Sequence, residues 1–108
     1  MNDTLNAIKE RVAVGKARAS EHGLQELKDD SIDISDVFAG VAKAITIEES
    51  PNYFKGPCVL CLQYDGAGKP IHVLWGMSLQ SPDWATIITA YRPSPKAWLD
   101  NLVTRRKR

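Results

Sequence analysis

The chain has 108 residues, room for one domain at roughly 100 to 200 residues each and not for a second. Its 44% apolar and 25% charged content is that of an ordinary globular chain and excludes collagenous, disordered and disulfide-rich classes. The net charge is +1, but Arg105, Arg106, Lys107 and Arg108 at the end carry +4, so residues 1–104 hold −3 and no global attraction to nucleic acid or anionic membrane is indicated.

In residues 4–14 the spacing of Leu5, Ile8 and Val12 predicts an amphipathic helix, with Gly15 placed to end it. The first ten residues are mixed polar, and no apolar run approaches the roughly 20 residues that cross a bilayer, so neither leader nor span is expected and a cytoplasmic address follows. After a connection over residues 16–19, Ser20 caps a second helix carrying Leu24 and Leu27 that fades near residues 29–31. A third short helix places Ile34, Val37, Phe38 and Val41 on one stripe, with Ser35 as its candidate cap and Gly40 weakening it.

From Ala44 the pattern turns to β-rich runs over residues 46–48, 57–64, 71–77 and 84–91, separated by turn residues. Asp65-Gly66-Ala67-Gly68 joins two apolar runs through glycines able to take positive φ, which predicts a tight antiparallel hairpin. Pro93-Ser94-Pro95 breaks the last strand, and residues 96–103 read as a short helix bringing Trp98, Leu99 and Leu102 to dock before the basic tail. The expected architecture is α+β: N-terminal helices (residues 1–43) packed on one face of a three- or four-stranded, mainly antiparallel sheet (residues 44–92), then the short helix and tail (residues 93–108) of one domain.

Several side chains could carry chemistry. His22, Glu26 and Asp30 recur every four residues on the second helix and project to one side, where a carboxylate one turn away would hold an imidazole protonated and oriented. The same spacing also describes a solvated helix face, and a metal site would need ligands from elsewhere, with His72 the one other imidazole. Strand alternation puts Ile71, Val73, Trp75 and Met77 toward the helices and His72, Leu74 and Gly76 on the opposite, more open face, where RNA or another ligand could lie. His72 could equally be a packing residue, and Gly76 suggests a bulge or a close backbone approach.

Tyr91 and Arg92 close the last strand. There an arginine clamps a phosphate or carboxylate, or pairs with a helix carboxylate, and a tyrosine stacks on a base or caps the core. Six carboxylates between Glu21 and Asp36 against Lys28 alone make a surface that repels phosphate, and basic counter-surface is confined to the first helix region and the tail. Cys58 and Cys61 point to opposite faces of their strand, so they read as two ordinary thiols rather than a metal or redox pair.

The ordered set Ser20-Glu21-His22-Gly23, Glu26-Leu27, Ile32, Asp36-Val37, residues 55–60, Pro70-Ile71-His72-Val73-Leu74-Trp75-Gly76 and Thr89-Ala90-Tyr91-Arg92-Pro93 resembles the bacterial "domain of unknown function 4258" family over about residues 5–100. The family has no settled activity, and its members are likened to small RelE-like or MqsR-like toxins, α+β ribonucleases of toxin-antitoxin pairs. The resemblance matches His22 to a helix histidine, His72 to a strand histidine, and Tyr91 and Arg92 to a terminal strand pair. Many members carry arginine where this helix has Glu26 and Asp30.

The resemblance thus implies an RNA-binding chain with metal-independent endoribonuclease activity, no cofactor, and an antitoxin-like protein partner. In that scheme His22 or His72 is base or acid, Arg92 the cation, Tyr91 a stacking group and Glu26 the partner of His22. The alternative is a non-catalytic module for a protein or a small anion. Catalysis requires that these side chains converge in one cleft.

Overall fold

In the computed structural model, residues 3–94, 97–98 and 101–104 are described. Three helices, α1 (Asp3–Ala13), α2 (Glu21–Asp29) and α3 (Ile34–Gly40), accompany five strands, β1 (Ala17–Ala19), β2 (Ile45–Ser50), β3 (Cys58–Tyr64), β4 (Pro70–Gly76) and β5 (Ala85–Tyr91). The sheet order is β1-β5-β4-β3-β2, antiparallel except for β1, which runs parallel to β5.

The α+β class is as expected, but the sheet is mixed and five-stranded. The extra strand falls on the connection read at residues 16–19. Ala17, Arg18 and Ala19 have no β signature of their own and are extended because they pair with Ala85, Thr86 and Ile87. The predicted helix at residues 96–103 is not formed at its described positions: Ala97 lies in a turn, Trp98 in a bridge and Asn101–Thr104 in turn and bend, with Leu102 at φ +63°. Lys96, Leu99 and Asp100, like the basic tail at residues 105–108, lie outside the described residues.

Alternation along the strands sends Val59 and Cys61, Ile71, Val73 and Trp75, and Ala85, Ile87 and Ala90 to one face, where they pack with Leu5, Ile8, Leu27 and Val37 from the helices. Burying Trp75 contributes roughly 4–6 kcal/mol, taking about 200 Å² at about 25 cal/mol per Å². Its indole donates to Gln63 Oε1 at 3.1 Å while Gln63 Nε2 donates to the Val37 carbonyl at 2.7 Å, so this buried amide fastens α3 to the sheet. The hairpin at residues 65–68 forms as predicted, with Gly68 at φ +79° and the Asp65 carboxylate accepting from the Ala67 and Lys69 amides.

The β4–β5 register breaks between Leu74 and Trp75, which pair with Thr89 and Ile87, so Ile88 is the extra residue. Gly76 faces it: a Cβ there would sit 2.6 Å from Ile88 Cδ1. The close approach anticipated at this glycine is therefore a neighbouring side chain.

Candidate functional site

Ser20 caps α2 as predicted, its hydroxyl accepting from the Gly23 amide at 3.0 Å and lying 3.2 Å from the Ile87 carbonyl it donates to. This fixes the helix start against β5, and where β1 ends α2 continues along the strand's edge. The spacing of His22 and Glu26 produces direct contact: His22 Nε2 lies 3.0 Å from Glu26 Oε1, with His22 68% exposed. That oxygen also accepts from Thr89 Oγ1 at 3.0 Å, so the carboxylate is held from the strand. Because Nε2 is turned to the carboxylate, Nδ1 is the nitrogen left to take a proton. Asp30, the third member of the helix row, instead accepts from the Arg92 backbone amide at 2.8 Å and fastens the strand end.

His72 lies on the face opposite the helices, as alternation dictates, but that face is closed over it. The ring is 0% exposed. Nε2 lies 2.7 Å from the Leu102 carbonyl and therefore donates, and Nδ1, 3.2 Å from the Tyr91 hydroxyl, accepts in the neutral ring. Trp98 stands edge-on to the imidazole at 4.4 Å and Tyr91 at 5.3 Å. The open surface expected at His72 is thus corrected: residues from beyond the last strand cover it, and both ring nitrogens are engaged.

The Arg92 guanidinium turns to the β3–β4 hairpin, pairing with Asp65 Oδ2 at 2.8 Å and lying 3.4 Å from the Pro70 carbonyl. Its carboxylate partner comes from a turn rather than from a helix. Asp65 is only 8% exposed, and its carboxyl is held below the ordinary 3.8, first by the Lys69 backbone amide and then by Arg92 and Ala67.

His22 and Glu26 therefore meet, as do His72 and Tyr91, but the two pairs and Arg92 do not form one cleft. Thr89, which holds Glu26, lies three residues before Arg92, about 10 Å along a strand at 3.3 Å per residue. Among the described residues no three His, Cys, Asp or Glu side chains group as metal ligands would. The thiols lie on opposite faces as read, Cys58 opposite Gly76 and Cys61 opposite Val73. Burial pushes Cys61 up to about 12.

What the sequence reading missed is a cleft of about 500 Å³ on the uncovered part of that same face. Arg18, Ser20, Tyr53, Lys55, Gly76 and Ile88 are among its lining residues. Its outer wall is the loop at residues 51–57, tied to the end of β4 by Met77 donating to the Pro57 carbonyl at 3.0 Å and Leu79 to the Lys55 carbonyl at 3.2 Å. Gly56, at φ +128° and pressed on the Met77 carbonyl, is the residue that lets the loop come so close. The Arg18 guanidinium lies 5.3 Å from the Trp84 ring centre and the Lys55 ammonium 5.7 Å from that of Phe54. The available signal was the run Tyr53-Phe54-Lys55 between two strands, an aromatic-basic cluster too large for a plain turn.

No helix among the described residues is long and apolar enough to cross a membrane. Searches of curated proteins and of solved structures returned no match. The family model described as Domain of unknown function (DUF4258) matches residues 19–92, which takes in α2, α3, strands β2 to β5, the last residue of β1, the His22–Glu26 pair, His72, Tyr91 and Arg92. With more than half of its length matched, the chain belongs to the domain of unknown function 4258 family.

Proposed function

We propose that the chain binds single-stranded RNA on the uncovered part of its sheet face and cleaves it without metal, with His22 as general base. The supporting observation is adjacency: Ser20 and Ile88 line the cleft, and the His22–Glu26–Thr89 array begins two residues beyond the first and one beyond the second. Cations interleaved with aromatic rings are what a flexible, stacked, negatively charged strand requires.

In this reading His22 Nδ1 takes the proton of a ribose 2'-hydroxyl as its oxygen attacks the adjacent phosphorus. The P–O5' bond breaks, the leaving oxygen takes a proton from water, and a 2',3'-cyclic phosphate remains. Glu26 stabilises the imidazolium that forms, and Arg18 and Lys55 replace Arg92 as the cations facing the phosphate. His72, Tyr91 and Arg92 support the fold.

The test is cleavage of labelled single-stranded oligomers in the presence of a chelator. Wild-type protein is expected to leave cyclic phosphate ends, His22→Ala to lose at least about 100-fold in rate, and Glu26→Gln to lose about tenfold or more while still binding. Binding without cleavage would overturn the nuclease and leave a binding module. Absence of RNA binding would overturn the whole reading.

A protein partner of the antitoxin type is favoured by one separate observation. Among the described residues the outer edge of β2 pairs with no strand and Ile45 on it is exposed, the condition for strand addition. Ile45→Lys, at the exposed start of this strand, should abolish capture of such a partner without altering RNA affinity.

A further inference from the structure

We infer that the cleft is a nucleotide subsite: an unstacked base enters between Tyr53 and the Gly76–Ile88 floor, and its phosphate is held at the rim by Arg18 and Lys55. The inference rests on the RNA reading and deepens it by stating that the ligand is held by an inserted base, not only by stacking along the exposed rings.

The lining divides by chemistry. The floor is apolar, built from Gly76, Met77 and Ile88, with the Ile88 side chain lying over Gly76 in the place a Cβ would take. Among the described lining residues there is no carboxylate, and the two charged side chains are Arg18 and Lys55. A local +2 in a body that carries −3 without its last four residues is a concentration of charge that selects an anion. Ser20 is not available to a ligand in the same way, since its hydroxyl already serves the Gly23 amide and the β5 carbonyls.

A volume of about 500 Å³ is that of a small-molecule site and admits a planar ring with a sugar behind it. Tyr53 supplies a ring beside this space, itself braced by Phe54 at 4.9 Å between centres. Arg18 is braced by Trp84 and lies 3.5 Å, through Nε, from the Thr86 hydroxyl, so its charge is held at the rim rather than swinging in solvent. An apolar slot with an anion clamp at its mouth fits an aromatic ring bearing a phosphate, whether a free mononucleotide or one residue of a strand.

Calorimetric titration with adenosine monophosphate, uridine monophosphate, inorganic phosphate and a short single-stranded oligomer tests this. Both mononucleotides are expected to bind once per chain, with phosphate at least tenfold weaker, and the oligomer is expected to bind tighter and be displaced by them. Ile88→Phe fills the floor and Lys55→Glu reverses a rim charge; each should weaken nucleotide and oligomer at least tenfold with an unchanged circular dichroism spectrum. Lys55 stands on an exposed loop, so its variant keeps the test valid should Ile88→Phe not fold.

Phosphate binding as tightly as the nucleotides overturns the base slot. So does an oligomer that binds but ignores both Ile88→Phe and added nucleotide, an outcome that leaves the RNA reading standing. Nucleotide binding sensitive to both variants with no oligomer binding upholds the subsite, assigns it to a free nucleotide and overturns the RNA reading.

Discussion

His72 illustrates how one side chain can be polar, buried and structural at once. Its two nitrogens serve a tyrosine hydroxyl on the neighbouring strand and a carbonyl 30 residues on, and an edge-on indole fills the space between. Replacing it by alanine removes both bonds, leaves the Leu102 carbonyl short of a donor and opens a cavity, so His72→Ala should cost about 2–4 kcal/mol in chemical denaturation. On the proposed reading, its effect on RNA cleavage should follow the fraction folded. Loss of cleavage at full folding would contradict the placement of His72 outside the chemistry. Whether such a histidine touches solvent depends on a segment distant in the chain, so strand alternation could name its face and not its exposure.

The pair of Asp65 and Arg92 carries a pH signature. Because the folded carboxyl titrates below its unfolded value, its contribution is fully present above the unfolded value near 3.8 and is lost as pH falls through the lower folded value. Asp65→Asn should therefore lower stability at neutral pH and flatten the acid limb of a stability-against-pH curve below about pH 4. An unchanged acid limb would show that Asp65 is not the group involved. Cys61, buried and with its thiol held far above neutral, should resist alkylation until the protein unfolds.

At the scale of elements, α2 is the hinge between sequence pattern and tertiary placement. Its cap, its fading end and the contact between His22 and Glu26 could all be read locally, since each depends on residues within one or two turns. For the third helix the sequence points to Ser35 as cap, but Asp33 is the cap, accepting from the Ser35 amide and hydroxyl; two oxygen-bearing residues two positions apart compete and the spacing does not choose. The hairpin was equally readable because a four-residue turn with two glycines is a local code. What α2 packs against was not: Gly23 lies directly on the Ile87 carbonyl, where a Cβ would collide with backbone. Gly23→Ala, which in an isolated helix would gain up to about 1 kcal/mol, should instead destabilise by about 1–3 kcal/mol and lower the melting temperature. A stabilised Gly23→Ala variant would show that helix and strand do not meet so closely.

For the whole molecule, the sequence indicates one face of the sheet for helices, and the helices do pack on one face. It gave no sign that the second face is itself divided, with a cationic cleft beside β1 and a sealed region over His72, because both halves are assembled from loops and chain ends whose positions no periodicity encodes. The cleft unites residues 18–20, residues 53 and 55–57, residues 76–78, and residues 86 and 88, four segments with nothing in common locally. Arg92 shows the same limit: its position at a strand end is legible in the sequence, and its partner in a hairpin two strands away is not.

Trp98 and Leu102, which among the described residues close over His72 from outside the last strand, lie beyond the stretch that matches the family, which stops at Arg92. A chain cut after Arg92 would retain the five described strands yet present a raw imidazole to water. It should gain a greasy spot that takes up a hydrophobic dye and should clump at concentrations where the uncut chain stays clear. The stretch shared by the family is thus a chassis, and the few residues that follow it decide how much of one side this protein shows to the world.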